Sequence, residues 1–66
     1  MHEVIRWLPD GSAMYWSDSS SQFKIEGWFS HNPFNASMMT LELSSDVREH
    51  LLGQGYSPDD IEILPT

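Results

Sequence analysis

Three histidines, ten carboxylates and a scatter of serines are the residues of this 66-residue chain with the chemistry to act, and their spacing limits what they can do. His2, His31 and His50 lie far apart, none with a carboxylate at the helical or short-loop spacings that metal sites use, so they read as exposed imidazoles. Asp59, Asp60 and Glu62 crowd several oxygens together, but the alternating ligands and central glycine of a calcium loop are missing. A turn cap and a charged strand explain them, and no metal is expected. No serine sits in a Gly-x-Ser-x-Gly turn and no glycine-rich loop opens a helix, which leaves nucleophilic catalysis and nucleotide binding without support. Asn35-Ala36-Ser37 matches a glycosylation acceptor, a pattern short enough to arise by chance. The expectation is a protein that is not an enzyme and takes no cofactor.

The carboxylates are more informative as a population. Ten Asp and Glu face three Lys and Arg, a formal charge of −7, and no basic patch compensates. Direct binding to DNA or RNA is therefore disfavoured, because Lys and Arg contacts to phosphate supply most of that affinity. A basic partner is expected instead. A net charge of about 2 to 8 in magnitude is ordinary for a small domain and serves solubility alone, yet such surfaces usually intersperse both signs. On a strand, residues i and i+2 face the same way about 6 to 7 Å apart, so Asp60 with Glu62, and outward Glu26 and Glu42, can present a row of fixed charge. That spacing is of the order of successive phosphates. Trp28, expected on the wet face, adds an apolar anchor of the kind that binding surfaces place inside a charged rim. The candidate partner-binding residues are thus Glu26, Trp28, Glu42, Asp59, Asp60 and Glu62.

Positioning these residues requires a fold, and eight aromatics, 12% of the chain, argue for one against the disorder that high charge favours. Glu3–Leu8 reads as a strand, Pro9-Asp10-Gly11 as a tight turn, and Ala13–Ser17 as the returning hairpin strand. The polar run 18–22 suits a flexible loop. Gln22–Ser30 alternates as a third strand, with Phe23, Ile25 and Phe29 inward and Lys24, Glu26 and Trp28 outward. After turn formers at 31–35, Ser37–Leu43 reads as a fourth strand with Met39, Leu41 and Leu43 inward. A helix of about two turns follows, capped by Ser44 or Ser45, burying Val47, Leu51 and Leu52 and stopped by Gly53. Ser57-Pro58-Asp59-Asp60 suits one helical turn, then Ile61–Leu64 forms a final edge strand ending at Pro65. The order ββββαβ over residues 1–66 predicts one small α+β domain, an antiparallel sheet of four to five strands with one short helix packed on one face.

No stretch approaches the roughly 20 apolar residues that span a bilayer, and Glu3 and Arg6 interrupt the first apolar run, unlike a signal peptide. A soluble, cytoplasmic protein with no membrane contact is expected. In size, acidity, absence of cysteine and α+β reading, the chain resembles the small anti-CRISPR proteins of phages and mobile elements that act as DNA mimics. The resemblance is one of class and transfers no residue by position. It implies a non-enzymatic inhibitor in the host cytoplasm that covers the basic, PAM-reading surface of a CRISPR effector complex and blocks target DNA binding. The competing expectation is a small structural or adaptor protein that uses the Trp28 face or a sheet edge for protein contacts.

Overall fold

The computed structural model describes all of residues 1–66. Strand β1 (His2–Trp7) turns at Pro9-Asp10-Gly11 into β2 (Ala13–Asp18), with Gly11 at φ +86° where a side chain would be strained. Asp10 locks that turn by accepting from the Ser12 amide at 2.9 Å and hydroxyl at 2.6 Å. Strand β3 (Gly27–Ser30), a 3-10 turn (Pro33–Asn35), helix α1 (Leu41–Gly53) and strand β4 (Ile61–Pro65) complete the chain. The four strands form one antiparallel sheet in the order β3-β2-β1-β4, so β4 is an edge strand and the hairpin is central. This is the expected α+β class, with four strands and one helix.

Alternation along the strands sorts the core. Val4, Trp16, Met39, Val47, Leu51 and Ile61 are buried together between the sheet and α1, flanked by Ile25, Phe29, Leu43, Leu52, Tyr56 and Ile63. Trp16 packs edge-on against Phe29 with ring centroids 5.2 Å apart, and Phe29 against Tyr56 at 5.8 Å. The buried indole stays satisfied by donating to Asp18 Oδ1 at 2.9 Å. Gly27 lies so close to this indole that an added Cβ would come within 2.5 Å of Trp16 Cζ2 and also meet the Ser17 carbonyl, so β3 approaches β2 only with glycine there.

The expected fourth strand over Ser37–Leu43 is overturned. Met39 makes a single bridge with His2, the Ser37 amide donates to Trp16 O, and the Asp18 amide donates to Ser37 Oγ. The segment thus wedges between the start of β1 and the end of β2, and then winds into the helix. Thr40, rather than Ser44 or Ser45, caps α1, accepting from the Leu43 amide at 3.1 Å. Ser44 is inside the helix and fully buried, its hydroxyl donating back to Thr40 O. At 13 residues α1 is well beyond two turns, and Leu41, expected inward, is exposed. Its end is set by Gly55 (φ +105°), two residues after Gly53, as the Gly55 and Tyr56 amides return to Leu52 O and Leu51 O.

The third strand is shorter than its alternation suggests. Only Gly27–Ser30 pairs with β2, and Phe23, expected inward, is 87% exposed. The serine run before it is tied by hydrogen bonds: Ser20 Oγ donates to Asp18 and accepts from the Glu26 amide, and the Ser19 amide donates to Glu26 O. No helix is long and apolar enough to cross a membrane.

Candidate functional site

The three cations are all engaged within the fold. Arg48 lies on α1 but turns toward β4, donating from Nε to Ile61 O and from Nη2 to Pro58 O, both at 3.0 Å. Arg6 places its guanidinium 5.0 Å from the Tyr56 ring centroid. Lys24 forms the one ion pair, with Glu26 at 3.5 Å, and both side chains are exposed enough for water to take most of its energy.

The acids divide differently. Asp10 and Asp18 hold turns, and hydrogen bonds from Ser12 keep the Asp10 carboxyl below the usual aspartate range. Glu42, Asp46 and Glu49 are exposed on α1 at i, i+4 and i+7, which brings them to one side of the helix. At 1.5 Å per residue they follow one another by about 6 and 4.5 Å along its axis. None of the three is in an ion pair or accepts a hydrogen bond. Glu42 suits the first turn, whereas Glu49 sits toward the end that disfavours negative charge.

A second acidic group lies on the sheet face turned away from the helix. The β1–β4 register puts Glu3 opposite Leu64 and Ile5 opposite Glu62, and the Trp7 amide donates to Asp60 O, which extends the ladder by one pair. Asp60 therefore stands opposite Trp7 and Glu62 diagonally across from it, where the Trp7 indole fixes Glu62 with a 2.7 Å hydrogen bond from Nε1 to Oε2. Such charge-assisted bonds hold a carboxylate stiffly. Ile5, opposite Tyr15 and Glu62, is only 3% exposed on this helix-free face, and Ser30 on the same face is buried with its hydroxyl accepting from the Asn32 amide and Asn35 Nδ2. Trp28 stands opposite small Ser17 on the edge strand β3 and remains 55% exposed.

Of the six sequence-derived residues, the structure brings Trp28, Asp60 and Glu62 to one sheet face. Glu42 is on the opposite layer, because it belongs to a helix and not to the expected strand. Glu26 lies before β3 with its charge answered by Lys24, and Asp59 sits in the turn that precedes β4, its amide capped by Ser57 Oγ. The row of Glu26, Glu42, Asp60 and Glu62 expected across neighbouring strands does not form as one row. Two carboxylate groups on opposite layers take its place. Asp46, Glu49 and Trp7 were missing from the sequence reading. The 4-then-3 spacing of Glu42, Asp46 and Glu49 signals the first two, and alternation with Glu3 and Ile5 signals Trp7. No three His, Asp or Glu side chains converge as a metal site requires, and the widest groove, beside Arg6, Gln54, Gly55 and Tyr56, is open to solvent. Compared with known proteins, the chain matches no family model, no curated protein and no solved structure.

Proposed function

We propose that this protein is a non-enzymatic inhibitor that occupies the basic, nucleic-acid-binding surface of a protein partner, with the PAM-reading surface of a CRISPR effector complex as the instance its class resemblance suggests. One observation carries the reading: every cation is spent on contacts inside the fold, while the outer side of α1 keeps Glu42, Asp46 and Glu49 unpaired. A rigid helix thereby offers three negative charges at intervals close to those of a phosphate backbone. Arginines and lysines that track DNA would meet the same sign and similar spacing, and target DNA would be excluded by competition.

The test is a pull-down from a host lysate at low and high salt, followed by a DNA-binding assay on the captured protein. A basic nucleic-acid-binding protein retained at low salt, released at high salt and blocked from DNA by the wild type supports the reading. The triple variant Glu42→Lys, Asp46→Lys, Glu49→Lys should keep the fold and lose the block. Undiminished inhibition by that variant would discard polyanion mimicry by the helix. The adaptor reading is favoured by exposed Trp28, and it predicts retention that salt hardly changes.

A further inference from the structure

We propose that the outer edge of β3 pairs with the same edge of a second copy of this chain, antiparallel about a twofold axis, so that the two four-stranded sheets become one. The pairing goes beyond the proposed function and uses none of the carboxylates on which that function rests.

The phase of the ladder shows which backbone groups are free. The Ser19 amide donates to Glu26 O, so Glu26, Trp28 and Ser30 turn their backbone groups toward β2, while Gly27 and Phe29 turn theirs outward. β2 is the one strand neighbour of β3, and the outward amides and carbonyls enter no turn, loop or side-chain hydrogen bond. The opposite edge of the sheet is guarded. On β4 Pro65 has no amide to offer, Arg48 Nε already occupies the Ile61 carbonyl, and Glu62 would meet like charge on an incoming copy. β3 carries neither a proline nor a charged side chain.

Charge and shape then select the occupant. Between Asp18 and Glu42 the only Lys, Arg, Asp or Glu residues are Lys24 and Glu26, which pair with each other. The excess of −7 therefore lies elsewhere in the chain, and a second copy can approach β3 without setting carboxylates against carboxylates. A basic segment, by contrast, finds no free charge here to pair with. The strand is also complementary to itself. With the axis between the two Trp28 residues, Gly27 and Phe29 exchange ladder bonds with Phe29 and Gly27 of the other copy. Trp28 faces its own counterpart at the narrow spacing of about 4.5 Å between Cα atoms, so an indole now 55% exposed gains an aromatic neighbour. On the helix side Phe29 comes beside a glycine, whose missing side chain leaves the approach clear.

The contact is small, of the class under about 1,200 Å² that associates transiently, so the experiment follows the full chain from about 10 μM to about 1 mM by sedimentation velocity and amide NMR. The sedimentation coefficient should rise with concentration, and the amide signals of Gly27 and Phe29 and the indole N–H of Trp28 should move with it while those of α1 stay in place. Salt screens the repulsion between two chains of charge −7, so dimerisation should strengthen several-fold from low salt to about 0.5 M, opposite to capture of the basic partner. Trp28→Lys and Trp28→Glu, at an exposed edge position, should each stay folded by circular dichroism and monomeric alone, and should associate when mixed, because opposite charges then meet across the axis. The helix variant Glu42→Lys, Asp46→Lys, Glu49→Lys should dimerise at least as well as the wild type, whatever becomes of its inhibition, so the two proposals fail separately. A monomer throughout the concentration range, concentration-dependent shifts confined to residues outside β3, or no association of the mixed variants would overturn the pairing.

Discussion

Asp10 shows what a single side chain contributes to the frame beneath these surfaces. Its carboxyl is pulled below the ordinary aspartate range first by the Ser12 hydroxyl and next by the Ser12 amide. A depressed carboxyl stabilises the fold above its unfolded-state pKa, and that contribution fades as pH falls through the lower folded-state value. Ser12→Ala removes the stronger donor and keeps the amide, so Asp10 should titrate closer to the ordinary range while staying below it. Carboxyl carbon chemical shifts followed from neutral to acid pH measure this, and an unchanged midpoint would assign the depression to the backbone alone. The turn itself was legible in the sequence, since Pro9-Asp10-Gly11 has turn chemistry at every position. Phe23 was not. Its alternation with Ile25 continues that of Phe29, but pairing with β2 stops at Gly27, and periodicity carries no information on where a ladder ends.

At the scale of the element, α1 holds the main discrepancy between pattern and structure. Thr40-Leu41-Glu42-Leu43 alternates like a strand, and the same residues open a helix because Thr40 accepts from the Leu43 amide and Leu43, Val47 and Leu51 recur every four residues. Ser44 and Ser45 hid that stripe, since a polar residue is not expected at a core position; Ser44 is tolerated there because its hydroxyl finds the Thr40 carbonyl. The β4 edge and its preceding turn, by contrast, were readable from Ser57-Pro58 and the Asp60/Glu62 alternation. The consequence for the site is direct, as a strand would have put Glu42 beside Glu26, and the helix puts it beside Asp46 and Glu49. That stripe costs stability. Like charges three and four residues apart repel by about 0.2–0.5 kcal/mol per pair, and Glu49 opposes the helix dipole as well. Glu49→Lys should therefore stabilise the fold by about 0.5–1 kcal/mol in urea unfolding at low salt and weaken capture of the basic partner. A variant that loses stability would show that the stripe is not under electrostatic strain.

Over the whole molecule, the charge of −7 produces two salt effects of opposite sign. Added salt weakens attraction to a cationic partner and also relieves repulsion among the protein's own carboxylates, at a screening length of about 10 Å in 0.1 M salt. The core that resists this repulsion is thin: nine of 66 residues are buried, and no disulfide supports them. Small relief should thus be visible, because about 1 kcal/mol shifts the melting temperature of a domain this size by about 4–8 °C. Circular dichroism melts from low salt to about 0.5 M sodium chloride, where the screening length falls below 5 Å, should show the melting temperature rising as partner capture falls. The triple helix variant, which brings the chain near neutrality, should lose most of this salt-induced rise. If it keeps the full rise, the stabilisation comes from salting-out of apolar surface and not from the acidic stripe. The same comparison separates a surface whose charge only confers solubility from one held under tension for a partner, since only in the second do stability and binding move in opposite directions when the stripe is reversed.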